Sequence, residues 1–193
     1  MIPIHVMPDT PTQAFLDVLQ QQGFAGEIDT SAAQRAVYAT DNSIYERPPQ
    51  AIVSPKHVAD LQVLTRLLAE ERFRGVVVTA RGGGTGTNGQ SLTEGIVVDV
   101  SRHMNHILSI DVAKRQVRVQ AGVVKDQLNR ALKPHGLFFA PELSTSNRAT
   151  IGGMVNTDAS GQGSCTYGKT RDHVLALKTV LWGGEVLESR SEE

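Results

Sequence analysis

The sequence has little of several features that point to particular functions. It contains one cysteine, Cys165, so it forms no internal disulfide and cannot by itself supply a cysteine-based metal or iron–sulfur site. Its net charge of −1 gives no electrostatic footprint for nucleic acid or for an anionic membrane. Its longest apolar runs, near Val76–Val78 and Ile96–Val98, are far too short to span a bilayer. The composition therefore argues against a cysteine-ligated metal site, against nucleic-acid binding and against a membrane span.

Aromatic residues make up only 5% of the chain, whereas glycine occurs 18 times in 193 residues. Glycine lacks a side chain, so a glycine-rich loop lets the backbone approach a ligand closely. The length suits one domain or a pair of small subdomains, and the 40% hydrophobic content is typical of a folded protein. The N-terminus, Met1–His5, lacks the basic and apolar regions of a signal peptide, so we expect no secretory leader.

The hydrophobic pattern predicts alternating helices and strands. We expect a first helix capped by Thr10, with Gln13 completing a capping box and Gly23 ending it. A second strong helix is expected to start at Ser54-Pro55, and the apolar strand Val76–Ala80 is expected at the centre of a sheet. Further expected elements are a short helix after Ser31, strands at Ala51–Val53, Ile96–Val100, Ile107–Ile110 and Val117–Gln120, helices at Val124–Leu132 and from Ile151 behind a Thr150 cap, and a hairpin between Val174 and Leu187. This mixture favours an α+β fold of two interlocked subdomains.

The strongest motif is the run Arg81–Gly89, which reads Arg-Gly-Gly-Gly-Thr-Gly-Thr-Asn-Gly. Its glycines satisfy the G-x-G-x-x-G spacing of dinucleotide-binding folds, and Gly84–Ser91 nearly matches a P-loop, with Gln90 in place of the lysine. Both motifs need a helix directly after the loop. The six residues Gln90–Gly95, which precede the next strand, are too few for a helical crossover.

We therefore predict that the glycine run is a loop between two strands. Successive glycines free several backbone N–H groups to converge on an anion. Thr85, Thr87 and Asn88 add short polar side chains, and Arg81 either pairs with a phosphate or anchors the loop. The plain alternative, a flexible surface linker, is disfavoured because linkers seldom follow a buried strand directly.

A second polar stretch runs from Pro141 to Gly168 and is dominated by hydroxyls, amides and glycines. So long a polar segment in mid-domain needs partners for its backbone groups. A large polar cofactor would supply them, whereas a solvated loop is the plain alternative.

Taken together, these motifs resemble the FAD-binding domain of the vanillyl-alcohol oxidase and p-cresol methylhydroxylase (PCMH) superfamily, in its D-lactate, glycolate and D-2-hydroxyglutarate dehydrogenase branch. The resemblance rests on Arg81–Gly89, on Pro141–Ser144, on Thr150–Gly153 and on Tyr167-Gly168 with the following Asp172-His173-Val174. The runs at 40–45 and 141–150 are similar to the bacterial D-2-hydroxyglutarate dehydrogenases that carry a fused iron–sulfur module. The resemblance implies a PCMH-type domain of two α/β subdomains over residues 41–193, incomplete at its C-terminus, with the cofactor between them, after a helical segment over residues 1–40.

The resemblance also implies which residues contact FAD. The glycine run would hold the pyrophosphate through backbone N–H groups, Gly152 and Gly153 would let a second loop close over the cofactor, and the backbone of Val174 would meet the adenine end. The implied cofactor-binding residues are Arg81, Gly82, Gly83, Gly84, Thr85, Gly86, Thr87, Asn88, Pro141, Ser144, Thr150, Gly152, Gly153, Asn156, Ser160, Gly161, Tyr167, Gly168 and Val174.

Two departures from the family pattern affect these expectations. Relatives with covalently bound flavin often have a histidine where this chain has Thr85, so the flavin is expected to be non-covalent. Many relatives have Asn-Ala-Gly-Gly where this chain has Asp158-Ala159-Ser160-Gly161, and Ser160 restricts the backbone there.

The implied activity is hydride transfer from C2 of a D-2-hydroxy acid to FAD, with the electrons passing to an acceptor module or a quinone. No residue of this chain is assigned as a catalytic base or a metal ligand. The family's cap domain with its catalytic histidine, and any 4Fe-4S cluster, would lie beyond Glu193, so the 193 residues alone are expected to lack turnover. The implied location is cytoplasmic, with peripheral attachment at the inner membrane face left open.

Two other functions fit the same residues: a flavin-binding module or truncated remnant without chemistry, and a nucleotide-sugar reductase of the same superfamily. Several isolated residues have plainer interpretations than chemistry. His103 and His106 are expected to be surface residues, His173 a hydrogen-bonded loop residue, Cys165 an inert thiol and Trp182 a hairpin packing residue, while Tyr45 faces either the flavin or the core.

Overall fold

The computed structural model describes residues 7–190, which form two compact units. The first unit contains the chain up to Arg81, then Gly86–Asp99, and finally Ala176–Arg190. The second contains Gly82–Thr85 and Val100–Leu175, so the glycine run is divided between the units along the chain. The prediction of two α/β subdomains is confirmed. The signal-peptide prediction rested on Met1–His5, which lie outside the described residues.

Helices and strands alternate through the first half of the chain, and strands and short helices follow in the second. In chain order the elements are α1 (Thr10–Gln21), β1 (Glu27–Asp29), α2 (Ala32–Tyr38), β2 (Ala51–Ser54), α3 (Val58–Leu68), β3 (Val78–Arg81), β4 (Ile96–Asp99), β5 (Ile107–Asp111), β6 (Gln116–Val119), α4 (Lys125–Leu132), α5 (Ile151–Asn156), α6 (Ser164–Tyr167), β7 (Ala176–Val180) and β8 (Val186–Arg190). Short 3₁₀ turns lie at Glu71–Phe73, Lys133–His135 and Thr170–His173.

The first unit is built on a four-stranded sheet in the order β1-β2-β4-β3. Strands β2, β4 and β3 are parallel, and β1 is antiparallel to β2. All residues of β2 and β4 are buried, whereas β3 lies at the sheet edge and is partly exposed. The prediction that Val76–Ala80 forms a central strand is therefore wrong. An apolar run does not distinguish an edge strand from a central one, and Val77 before β3 is 59% exposed.

The connection between the parallel neighbours β3 and β4 spans residues 82–95 and contains no helix. The predicted strand–loop–strand arrangement is thus confirmed, and the dinucleotide and P-loop alternatives fail. One step of that reasoning was wrong, however. A parallel crossover needs about a dozen residues, and the glycine run itself supplies most of them, so Gln90–Gly95 does not have to make the crossover alone.

Two helix starts differ from the predicted ones. The side chain of Asp9, rather than Thr10, caps α1 by accepting a hydrogen bond from the Thr12 amide at 2.8 Å. Helix α3 begins at Val58 rather than at Ser54-Pro55, because Ser54 completes β2. The buried Asp60 carboxylate then organises the first turn of α3 by accepting the amides of Lys56 and His57. The other predicted elements are present, with boundaries that differ from the predicted ones by up to three residues.

Each unit has its own apolar core. In the first unit, α1 and α3 pack on the sheet, and Phe15 meets Phe73 edge to face with ring centroids 5.2 Å apart. The hairpin β7–β8 is tied to α3, since Gln62 Nε2 donates to the Gly184 carbonyl at 2.9 Å. In the second unit, Val123, Leu128 and Leu132 form the core beneath the β5–β6 ribbon. Between residues 7 and 190, no helix combines the length and hydropathy needed to span a bilayer.

Candidate functional site

The glycine loop, residues 82–95, leaves the carboxyl end of β3 and turns at two glycines with positive φ. Gly84 has φ of +61° and Gly89 has φ of +71°, a region that residues with side chains rarely adopt. Gly84 is buried, whereas Thr87 and Asn88 at the far side of the loop are exposed. The glycines thus allow a backbone course that ordinary residues would strain.

The middle of the glycine loop has backbone donors without acceptors. Among the described residues, the amide N–H groups of Gly83, Gly84, Thr85, Gly86 and Thr87 donate no hydrogen bond to another part of the chain. A compact loop usually pairs such groups with backbone, side chains or water. Five consecutive free amides are therefore available to an anionic ligand, as the nest prediction requires.

The amide of Asn88, predicted to contact the ligand, is instead used within the loop. The side chain of Gln90 folds back, and its Oε1 accepts the Asn88 N–H at 3.1 Å. The same side chain lies against Gly86, where a Cβ atom would be 2.2 Å from Gln90 Nε2. Gln90, noted in the sequence only for occupying the P-loop lysine position, therefore shapes the loop.

Arg81 serves as an anchor at the start of the glycine loop. Its Nη2 donates to the Thr40 carbonyl at 2.8 Å and its Nη1 to the Tyr38 carbonyl at 3.3 Å. The guanidinium also lies over the Tyr38 ring, 5.1 Å from the centroid. Burial lowers the pKa of Arg81, while the nearby Asp41 carboxylate opposes that shift. Of the two roles left open by the sequence, these contacts favour anchoring.

In the second unit, the first residues of the glycine loop pack against the segment that precedes α5. A Cβ atom on Gly82 would lie 2.1 Å from Thr150 Oγ1, and one on Gly83 would lie 2.0 Å from the Arg148 carbonyl oxygen. Neither separation is tolerable, so both positions require glycine. Two segments that the sequence assigned separately to the cofactor are thus in direct contact, and the part played by Arg148 was not predicted.

Helix α5 starts where the sequence predicts, at the buried Thr150. The Thr150 Oγ1 accepts the Gly153 amide at 3.3 Å, which is the N-cap interaction. Gly152 packs on Ala121, because a Cβ atom there would be 2.8 Å from the Ala121 Cβ. Gly153 is exposed and its missing side chain would meet only Thr150 Oγ1, at 3.2 Å, so its backbone is approachable.

The polar loop around Pro141 contacts the glycines that follow α5. A Cβ atom on Gly161 would lie 2.1 Å from the Glu142 carbonyl oxygen, so these backbones touch. The Gly161 amide donates to Ser164 Oγ at 2.8 Å, and the exposed Tyr167 ring meets Phe138 edge to face at 5.8 Å. Four other predicted cofactor-binding residues lie in the same unit. Pro141 is buried, whereas Ser144, Asn156 and Ser160 are exposed.

Asp158, one of the departures from the family pattern, has a structural role. It adopts φ of +45°, which aspartate tolerates better than most residues, and its carboxylate pairs with Arg171. Burial raises the pKa of Asp158, but the hydrogen bonds from the Arg171 amide and side chain outweigh it, so the net pKa lies below its usual value.

The Val174 amide, predicted to lie at the adenine end of the cofactor, is occupied, since it donates to the Arg171 carbonyl at 3.3 Å. Adenine contact by that N–H would require the bond to open.

Two of the histidines that the sequence singled out lie within hydrogen-bonding distance of a partner. His106 Nδ1 is 3.0 Å from Gln120 Oε1, and His173 Nε2 is 2.8 Å from the Tyr167 carbonyl. Cys165 is exposed, and Trp182 is exposed at the β7–β8 turn. Residues 7–190 contain no cluster of three or more potential metal-ligating side chains. Tyr45 packs beside Gly89 with half its surface exposed, so it lies against the glycine loop rather than in the core.

Comparison with known proteins identifies close relatives in sequence. Residues 49–190 match a family model described as FAD binding domain. Over 184 residues the chain is 67% identical to the D-2-hydroxyglutarate dehydrogenase of Pseudomonas putida (strain KT2440), covering 95% of this chain but 18% of the relative. Over 164 residues it is 35% identical to the glycolate oxidase subunit GlcD of Bacillus subtilis (strain 168), covering 84% of this chain and 34% of the relative. The chain thus spans about a fifth to a third of these relatives.

Solved structures with little sequence similarity share the fold. An alkyldihydroxyacetonephosphate synthase structure superposes with a TM-score of 0.83 at 23% identity, covering 97% of this chain and 40% of that one. The predicted PCMH-type FAD-binding fold is confirmed by this likeness together with the family match.

Proposed function

Because the chain belongs to the family of FAD binding domains, we propose that it forms the flavin-holding part of a dehydrogenase that converts a D-2-hydroxy acid into the 2-oxo acid. The substrate class is supported by relatives named D-2-hydroxyglutarate dehydrogenase and glycolate oxidase subunit, which both act on 2-hydroxy acids by name. The single observation that carries the proposal is the glycine loop with five unpaired amides, within a chain so similar to the first of these relatives.

The residues present fit the pyrophosphate of FAD. The donors Gly83–Thr87 are neutral and consecutive, and the one carboxylate of the glycine loop, Glu94, lies at its far end and pairs with Arg47. The close packing of Gly82 and Gly83 holds the first part of this run in place. We assign the remaining cofactor contacts to the exposed polar positions Ser144, Asn156 and Ser160, and to the approachable backbone at Gly153. The boundary at residue 40 belongs to the same proposal.

Bound FAD would supply the hydride acceptor, taking the C2 hydride of the 2-hydroxy acid while the hydroxyl proton leaves to a base. This chain's own residues hold and orient the cofactor rather than move the proton. Arg81 and Gln90 fix the two sides of the glycine loop, and Thr150 fixes the start of α5. We assign no catalytic base to these 193 residues and therefore expect no turnover from them alone.

The flavin is proposed to be held without a covalent bond. Between Arg81 and Ser91 the chain has no histidine or cysteine, and Thr85 occupies the position where the resemblance places a covalent histidine. Precipitating the flavin-loaded protein with acid should leave all the flavin in the supernatant. Flavin retained in the washed pellet would show that this part of the proposal is wrong.

The electron acceptor is proposed to be a protein module or a quinone. One cysteine cannot ligate a 4Fe-4S cluster, which takes about four, so any such cluster would use cysteines from outside these residues. A cytoplasmic location, with peripheral attachment at the inner membrane face as the variant, is part of the same proposal.

The proposal is tested with the full-length protein that carries this chain, loaded with FAD and kept free of oxygen. D-2-hydroxyglutarate should bleach the visible flavin band, whereas the L enantiomer at the same concentration should not. D-lactate and glycolate, assayed alongside, define the width of the substrate class. If the protein binds FAD but none of these acids bleaches it, the chain is a flavin-binding module without this chemistry. If reduced nicotinamide adenine dinucleotide phosphate reduces the flavin instead, the nucleotide-sugar reductase hypothesis is favoured.

A further inference from the structure

We propose that Asp41 is a positioning residue that ties the two ends of the glycine loop together, so that FAD affinity depends on it. This inference rests on the proposed FAD function. Asp41 lies shortly after α2 and far from the loop in sequence, and its Oδ2 accepts a hydrogen bond from Ser91 Oγ at 2.9 Å. Its Oδ1 accepts the Ser43 amide at 2.8 Å, which holds the carboxylate in place. Both carboxylate oxygens are therefore engaged.

The other end of the glycine loop is held by the same short segment. Arg81, directly before the loop, donates to the carbonyls of Tyr38 and Thr40. Its positive charge also interacts with the Asp41 carboxylate. The segment 38–41 thus holds the residue before the loop and a residue ten positions later, and we call these contacts the loop clasp.

The outgoing side of the loop packs on the continuation of this segment. Tyr45 Cδ2 lies so close to Gly89 that a Cβ atom there would be 2.9 Å away. The Tyr45 amide in turn donates to Ser43 Oγ at 3.2 Å, which fixes the turn that carries the ring. The buried Ser91 lies two residues after Gly89, so the clasp and the packed ring restrain the same side of the loop.

The clasp is important because the middle of the loop has no hydrogen bonds of its own. The free amides of Gly83–Thr87 keep a fixed arrangement only if the ends of the loop are restrained, since glycine loses more conformational freedom on ordering than any other residue. A loop ordered in advance binds its ligand more tightly, because less entropy is lost on binding. Asp41 therefore acts on the cofactor through the loop and does not need to touch it.

The first experiment uses trypsin on the protein without FAD, with cleavage followed by mass spectrometry. Asp41→Asn and Ser91→Ala should each speed cleavage of the Arg81–Gly82 bond about tenfold, since hydrogen bonds to charged groups have about this effect on an equilibrium. Cleavage after the exposed Arg74 should be unchanged, which separates local release of the loop from general unfolding. If the Arg81–Gly82 bond is cut at the wild-type rate in both variants, the clasp does not exist.

The matched control is Asp29→Asn. Asp29 makes the same local turn as Asp41, because its Oδ1 accepts the amide of Ser31, two residues on, also at 2.8 Å. Among the described residues it has no further side-chain partner, and it does not contact the glycine loop. This variant should match the wild type in tryptic cleavage at Arg81 and in FAD affinity. If Asp29→Asn weakened FAD binding as much as Asp41→Asn does, the effect would come from the local turn alone, and the proposal would be overturned.

The second experiment measures FAD dissociation constants by fluorescence titration. Asp41→Asn and Ser91→Ala should each weaken FAD binding about tenfold, and the double variant should be no weaker than the worse single one, because both remove one contact. Additive losses would overturn the clasp. If trypsin gives the expected pattern but the wild type itself does not bind FAD, the clasp stands as a feature of the loop, and the proposed function and the dependence of FAD affinity on Asp41 both fail.

Discussion

Gly83 and Arg148 meet backbone to backbone, since a Cβ atom on Gly83 would lie 2.0 Å from the Arg148 carbonyl oxygen. A contact between main chains cannot be relieved by turning a side chain. Gly83→Ala should therefore force the two segments apart, lowering the free energy of unfolding by about 1–3 kcal/mol and weakening FAD binding. Chemical denaturation and FAD titration measure the two effects.

Gly75→Ala is the control for this substitution. A Cβ atom at Gly75 would meet nothing within 4 Å, and its φ lies outside the left-handed region. The free energy of unfolding of the Gly75→Ala variant should stay the same or rise by up to about 1 kcal/mol. Its FAD affinity should be unchanged. Equal behaviour of the two alanine variants would show that the Gly83–Arg148 contact has no role.

Gly86→Ala should be milder than Gly83→Ala, because the neighbour of Gly86 is the flexible end of the Gln90 side chain. The added methyl group would displace this side chain and break its bond to the Asn88 amide. The expected loss of FAD affinity equals that of Gln90→Ala, about fivefold for one exposed hydrogen bond. The double variant Gly86→Ala with Gln90→Ala should bind FAD no more weakly than either single variant. Isothermal titration measures the affinities, and a loss in the double variant equal to the product of the two single losses would contradict this explanation.

Thr150→Val tests the cap of α5. Valine keeps the size of the side chain but cannot accept the Gly153 amide, which should lower the free energy of unfolding by about 1 kcal/mol. FAD binding should weaken as well, since α5 carries Gly152 and Gly153. Asp9→Ala removes the equivalent cap of α1, where the Asp9 side chain accepts the Thr12 amide at 2.8 Å. This control should lose stability but not FAD affinity.

Asp158→Asn tests the Asp158–Arg171 pair through the pH dependence of stability. Asparagine also tolerates positive φ, so the backbone at residue 158 is preserved. The native pKa of Asp158 lies below its usual value, so the ionised carboxylate stabilises the fold above about pH 4, and this contribution is lost as the pH falls through the native pKa. The wild type should therefore be more stable than the variant at pH 7, with the gap closing as the pH falls. Denaturation at a series of pH values checks this, and a gap that is constant with pH would contradict it.

Local patterns predicted the elements of this protein well because their causes are local. The Thr150 cap of α5, the β7–β8 hairpin at Gly183-Gly184 and the helix after Ser31 each depend on a few neighbouring residues. The prediction of Thr10 as the cap of α1 was wrong, because the side chain of Asp9, one residue earlier, caps the helix instead. The predicted start of α3 was also wrong, because Ser54 pairs with Glu27 in the sheet and so belongs to β2.

The sequence by itself determined that a glycine-rich loop without a following helix joins two strands, because the spacing and the absence of side chains are properties of the residues themselves. Only the tertiary structure decided that β3 lies at the sheet edge, that Arg81 anchors the loop, and that Asp41 and Gln90 hold it. Edge position and hydrogen-bond partners depend on which distant segments meet, as Asp41 and Ser91 do across fifty residues of chain. No local pattern contains that information.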